Sequence, residues 1–224
     1  PQVTGDTTPT VFGTVQSVDG SQAQLRAAFE IWKADGTSRA WAANSPASAW
    51  VADNAVRDAP SPALTPQTDY RLRVKTQAYY MTDRGATGVL DSGWSSWCYF
   101  RIDTDSPPPP VVSSSDGRYQ PAETNQAADG VGVTGAFLFT PADTDPVAAG
   151  IQSDVVSYKW RLNSGTVSAP VTVTKGTAGK ANITPNQVGE NTIQVWGYDA
   201  AGHSSLTGYY SFLVNPGAKP SGVW

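Results

Sequence analysis

The fold is decided by residues 64–74, Leu-Thr-Pro-Gln-Thr-Asp-Tyr-Arg-Leu-Arg-Val, in which a proline turn leads into an alternating run. Because successive side chains of a strand point to opposite faces, this pattern predicts a strand with one apolar and one cationic face. The side chains predicted to face a core are Tyr70, Leu72 and Val74. The side chains predicted to face solvent are Arg71, Arg73 and Lys75.

The approach to this strand resembles the tyrosine corner of β-sandwich domains. In that corner the phenol hydroxyl bonds the backbone just upstream and fixes the turn into the strand. Further along, Trp94-Ser95-Ser96-Trp97-Cys98 resembles the Trp-Ser-x-Trp-Ser box of some fibronectin type III domains, with a cysteine in place of the last serine. The resemblance implies that the three cations stack on Trp94 and Trp97, each exposed stack contributing about 0.5–1 kcal/mol.

Length and composition favour many short strands. The 224 residues allow one large or two small domains, the 21 glycines and 17 prolines are scattered, and charged residues make up only 15%. The run Thr104-Asp105-Ser106-Pro107-Pro108-Pro109-Pro110 predicts a stiff linker, because proline cannot donate to a strand ladder. We therefore expect an all-β chain of two Greek-key sandwiches, over residues 1–105 and 106–216, followed by a linker over 217–224.

The alternation of apolar residues predicts the individual strands. In the first domain we expect an unstructured lead-in over residues 1–7, strands over 8–18, 25–33 and 94–103, two short strands within 40–56, and a loop over 82–91. In the second domain we expect strands over 111–114, 132–139, 155–162, 171–173, 181–184 and 191–198. Trp160 is predicted to pack against the core, and Tyr210, Phe212 and Val214 to close it.

As a whole the chain resembles the tandem fibronectin type III and immunoglobulin-like modules of large secreted actinobacterial proteins, which often precede a laminin-G-like domain. The resemblance is carried by residues 94–103 before the proline run, 153–158, 199–204, 210–214 and the tail 219–224. His203 stands where these modules usually have asparagine. The resemblance implies an extracellular location and a spacer, display or adhesion role, with neighbouring domains of the parent chain as partners.

Catalytic patterns are missing from the sequence. The only histidine, His203, lies in a glycine- and serine-rich turn, and we interpret it as a turn residue that tolerates left-handed geometry. The three glutamates fall on separate segments, and phosphate loops, zinc spacings and dinucleotide fingerprints are absent from the pattern. The only cysteine, Cys98, is predicted to be a small buried residue on the last strand of the first domain. We therefore expect a protein that is not an enzyme.

Loop aspartates make calcium the one cofactor that the sequence suggests. If the linker enters beside the loops of the second sandwich, it brings two of its aspartates toward four others, and calcium takes six to eight oxygen ligands. The candidate ligands are Asp103, Asp105, Asp143, Asp145, Asp154 and Asp199. None has the spacing of a known calcium loop, so the alternative is that they are solvated turn residues that cap backbone amides.

A second candidate surface is aromatic. Trp196 and Tyr198 should face outward on their strand, with Tyr209, Lys159 and Arg161 on the same face. Such side chains can stack on sugar rings or pack on a surface protein. Alternatively they stack on one another as in the first domain, or the neighbouring domain covers them.

Net charge and the length of apolar runs indicate which further partners are not expected. The formal charge of −4 and pI of about 4.9 give no basic footprint for nucleic acid, and no apolar run reaches the roughly 20 residues of a membrane span. The sequence thus predicts a spacer or display module that supports adhesion. The alternatives are a carbohydrate- or cell-surface-binding module and an accessory segment of a secreted hydrolase.

Overall fold

The computed structural model of the chain describes residues 2–17, 24–44, 50–142 and 154–216. The predicted all-β class is confirmed, because the regular elements of these described residues are sixteen strands and one 3-10 turn at Ala122–Thr124. The chain forms two compact units, Pro1–Thr104 and Asp105–Trp224. Among the described residues, no helix is long and apolar enough to cross a membrane.

The described part of the first unit contains eight strands in two sheets. They are β1 (Gln2–Thr4), β2 (Thr10–Thr14), β3 (Gln24–Lys33), β4 (Arg39–Asn44), β5 (Val56–Pro60), β6 (Thr68–Met81), β7 (Thr87–Asp91) and β8 (Cys98–Ile102). The larger sheet has the order β1-β8-β6-β3-β4, with β7 paired to the second half of β6, and the smaller sheet is β2-β5. β1 runs parallel to β8, and the other pairs are antiparallel.

The core of the first unit lies between these two sheets. Alternate residues of β3 point into it, and the predicted core face of β6 begins with Tyr70, which is 2% exposed. A hairpin turn at Asp35-Gly36 joins β3 to β4, with Gly36 at φ +79°. The buried core residues are Val11, Val15, Leu25, Ala27, Phe29, Ile31, Ala59, Leu64, Tyr70 and Ile102.

The second unit has the Greek-key connectivity of an immunoglobulin-like sandwich. Its strands are β9 (Val111–Ser114), β10 (Ala127–Gly130), β11 (Gly135–Thr140), β12 (Ser157–Leu162), β13 (Val171–Thr172), β14 (Gly179–Ile183), β15 (Gly189–Tyr198) and β16 (Gly208–Asn215). One sheet has the order β9-β11-β14 and the other β10-β16-β15-β12-β13. Phe137, Phe139, Tyr158, Ile193 and Phe212 are each 0% exposed in the core between them, and Trp160 packs against its side.

The last proline of the predicted linker packs on the second unit. The backbone oxygen of Pro110 lies so close to Gly208 that a Cβ on that glycine would approach it to 2.2 Å. A Cβ on Gly197 would lie 3.5 Å from the Pro110 ring. The proline run therefore ends as a packed element of the second sandwich, and glycine at position 208 is required by this close approach.

Several expected element boundaries were wrong. Residues 1–7 include β1, which pairs with residues 100–102, and the expected loop over 82–91 contains β7. β5 begins where the expected pair of short strands ended, and β10 was not predicted. These strands lie at sheet edges or in the small sheet. In β1, β5 and β7 together only Ala59 is buried, so hydrophobic alternation gives them little signal.

Candidate functional site

The predicted tyrosine corner is formed at the start of β6. The Tyr70 hydroxyl oxygen accepts a hydrogen bond from the backbone N–H of Thr65 at 2.9 Å. Its ring stacks on Phe100 of β8, with centroids 5.6 Å apart. Because this bond ties the turn to the first inward residue of the strand, it sets the register of the whole cationic face that follows.

The outer face of β6 carries an alternating stack of cations and indoles, which we call the ladder. Arg71 lies 4.3 Å from the Trp97 ring centroid, and Lys75 lies 4.9 Å from that of Trp94. Arg73 lies between the two indoles, 4.3 Å from Trp97 and 4.7 Å from Trp94. Cations two residues apart on a strand are separated by roughly 7 Å, which leaves room for one ring between successive cations.

The indoles are held in place by two serines that replace strand pairing. Between β7 and β8 the chain departs from regular strand pairing with β6. Ser95 donates its N–H to the Val74 carbonyl (2.8 Å) and accepts the Val74 N–H on its Oγ (3.1 Å). Ser92 makes the same pair of bonds with Thr76, each at 2.9 Å. Ser92 was not predicted from the sequence, although it lies three residues before Ser95.

A buried carboxylate lies beneath the ladder. Glu30 on β3 is opposite Arg73 in the sheet register, is 5% exposed, and forms an ion pair with that arginine. Lys75 forms an ion pair with Asp91 of β7, and hydrogen bonds from Lys75 and Gln77 hold the pKa of Asp91 below its ordinary value. Glu30 could not be chosen from the sequence, because its partner Arg73 lies 43 residues away and is set by strand pairing.

The aromatic face of the second unit is a looser version of the same arrangement. Lys159 lies 5.1 Å from the Tyr198 ring centroid, and Arg161 lies 5.6 Å from that of Trp196. Arg161 also donates to the Gln194 side chain at 2.6 Å. These two cations and two rings are half-buried, whereas Tyr209 on the neighbouring strand β16 is 65% exposed.

The candidate calcium ligands are distributed over both units, each of which is described by itself. In the first unit, Asp103 is 3% exposed and accepts a hydrogen bond from the Gln67 side chain at 3.0 Å. In the second unit, Asp154 and Asp199 are 9% and 3% exposed and bring carboxylate oxygens within 4.8 Å of each other. Asp105 is half-buried. The remaining candidates, Asp143 and Asp145, lie outside the described residues.

His203 supports the turn that holds Asp199, but not in the way expected. Asp199 accepts hydrogen bonds from the backbone N–H of His203 at 2.8 Å, and its other oxygen lies 3.1 Å from the imidazole Nδ1. The residue with left-handed backbone geometry in this turn is Gly202, at φ +95°. The interpretation of His203 as the left-handed residue was therefore wrong, because the adjacent glycine supplies that geometry at no steric cost.

Cys98 is exposed, which contradicts the prediction of a buried thiol. It begins β8 and pairs with Leu72, so by alternation it lies on the same face as Phe100 and Ile102. Among the described residues the facing sheet consists of β2 and β5, which leaves fewer side chains to cover this end of β8.

A buried asparagine cluster, which sequence reasoning missed, marks the start of β15. Asn191 is 0% exposed, and its amide donates to the carbonyls of Gln187 and Gly189 at 2.9 and 3.2 Å. Its Oδ1 accepts from Asn163 at 3.0 Å. This network occupies the position in the second unit that the tyrosine corner occupies in the first.

No family model matches the sequence, and no curated protein matches it. Among solved structures, the chain is similar to the Clostridium thermocellum CbhA fibronectin(III)-like modules, with a TM-score of 0.38 and 12% sequence identity. The match covers 96% of this chain and 88% of that chain.

Proposed function

We propose that this chain is a non-catalytic spacer or display module of a larger secreted or surface protein, acting outside the cell and supporting adhesion. The observation that carries the proposal is the ladder, in which Arg71, Arg73 and Lys75 are already engaged by Trp94 and Trp97. Cations and rings that stack on one another stiffen a sheet face and are poorly placed to bind a ligand, since binding would first require breaking these contacts.

The proposal is tested by a pull-down of the purified chain on a panel of insoluble polysaccharides and cell walls. A spacer should pass through every matrix. The variants Trp196→Ala and Tyr209→Ala are tested beside the natural chain as a matched pair, because Trp196 contacts Arg161 whereas Tyr209 is largely exposed. Retention that either variant loses while its melting temperature is unchanged would overturn the spacer proposal.

A second candidate is a carbohydrate- or cell-surface-binding module, favoured by the exposure of Tyr209 beside the half-buried Trp196 and Tyr198. An exposed ring beside cations can stack on a sugar while the cations bond its hydroxyls. A third candidate function is that of an accessory segment of a secreted hydrolase, which would use the same fold. The domains that flank the chain in its parent protein distinguish these candidates: a laminin-G-like neighbour favours display, and a catalytic neighbour favours the accessory role.

Calcium binding by the loop aspartates is a separate proposal, supported in the second unit by the approach of Asp154 and Asp199. Two carboxylates supply at most four of the six to eight oxygens that calcium needs, so further ligands are required. A bound ion would raise the melting temperature of the chain, because it binds only the folded state. Calorimetry with calcium and with chelator, on the natural chain and on Asp154→Asn, tests this; a melting temperature that calcium leaves unchanged would exclude it.

A further inference from the structure

The free edge of β2 is the least protected strand edge of the first unit. In the second unit, the strand in the equivalent position, β11, pairs with β14 on one side and with β9 on the other. β2 pairs with β5 in the way that β11 pairs with β14, but no described strand takes the place of β9 beside it. The small sheet of the first unit is thus one strand short of its counterpart.

The backbone of β2 presents hydrogen-bonding groups to this edge. The N–H of Ser61 donates to the Pro9 carbonyl, and the N–H of Val15 donates to the Ala55 carbonyl, so the odd-numbered residues of β2 bond to β5. In an antiparallel pair the backbone groups of successive residues point to opposite sides. The residues whose N–H and C=O groups point to the free edge are therefore Thr10, Phe12 and Thr14.

The side chains along this edge lack the usual protection. Natural edge strands are commonly blocked by charged residues or proline, yet residues 10–17 contain neither, and Phe12 is 63% exposed. The other described strands of this unit that pair on one side only are β1, β4, β5 and β7. β4, β5 and β7 contain charged residues, and β1 has only three residues, which are two of the usual protections of an edge. This comparison singles out β2 as the edge open to another strand.

We propose that the occupant of this edge is β2 of a second copy of the chain, paired antiparallel about a two-fold axis at Phe12. The sequence Thr10-Val11-Phe12-Gly13-Thr14 is self-complementary in this register. Phe12 lies opposite Phe12, and each Thr10 lies opposite Thr14, which are aromatic and threonine pairs that favour sheet association. On the inner face, Val11 lies opposite Gly13. Each of the three edge-facing pairs would exchange two backbone bonds, and the two small sheets would join into one.

Sedimentation equilibrium of the full chain tests this dimer over loading concentrations of roughly 10 μM to 1 mM, which cover weak association. Phe12→Lys places two ammonium groups directly opposite each other, so the dissociation constant should rise by about tenfold or more. Leu90→Lys on β7 is the matched control, because Leu90 is similarly exposed at 62% and receives the same charge, and it should leave the constant unchanged.

Hydrogen exchange of backbone amides tests independently whether a second copy covers the edge of β2. The amides of Thr10, Phe12 and Thr14 should become more protected as the concentration rises, and those of residues 87–91 should not. A chain that stays monomeric over the whole range would overturn the proposal. A dimer that Phe12→Lys leaves intact, or that Leu90→Lys weakens equally, would place the interface elsewhere and overturn it too.

Discussion

Replacing Arg73 with methionine should destabilise the first unit far more than an ordinary surface substitution. Among the three cations of the ladder, Arg73 is the one that contacts both indoles, and its loss removes two stacks of about 0.5–1 kcal/mol each. The larger effect comes from Glu30, whose side chain is 6% exposed and would lose its partner. A buried carboxylate left unpaired costs about 3–5 kcal/mol, so we expect a total loss of that order in the free energy of unfolding.

Urea unfolding measures this loss, followed by the fluorescence of the eight tryptophans of the chain, of which Trp94 and Trp97 belong to the ladder. The matched control is Arg101→Met, because Arg101 pairs with the exposed Asp69 at 3.1 Å and should contribute at most about 1 kcal/mol. Adding Glu30→Met to the Arg73 variant removes the unpaired charge and should restore much of the stability. The reasoning is refuted if Arg73→Met costs no more than Arg101→Met, or if the double variant recovers nothing.

Three further outcomes are expected. Tyr70→Phe leaves the Thr65 N–H without its acceptor and should lower the free energy of unfolding by about 1–3 kcal/mol, read from the urea midpoint; an unchanged midpoint would contradict the corner's role. Burial raises the pKa of Tyr158 to about 12 from an ordinary value of 10.0, so its contribution to stability is complete below pH 10 and is lost as the pH rises through about 12. Thermal melts should therefore show a smaller alkaline loss for Tyr158→Phe, and equal losses would count against this. Exposed Cys98 should react fully with a thiol reagent in the folded protein, whereas reaction only after denaturation would contradict its exposure.

The sequence predicted those features whose signals are local. The alternation of residues 70–75 and the two indoles of the box were sufficient to anticipate the ladder, because every cation follows the period of one strand. The buried Glu30 could not be predicted in the same way, since its environment is created by strand pairing between β3 and β6. β7 was missed because its residues are mostly exposed and its place depends on hydrogen bonds to β6 rather than on burial.

In both units cations contact aromatic rings on one sheet face, but the contacts are shorter in the first unit. This difference affects where a ligand could bind. In the first unit the contacts are 4.3–4.9 Å and both indoles have cations on them, whereas in the second unit the two contacts are 5.1 and 5.6 Å. The attraction between a cation and a ring weakens as the distance between them grows. Separating the cations from the rings therefore costs less free energy in the second unit. If the chain has a direct binding role, we propose that it lies on the looser face, which carries the exposed Tyr209.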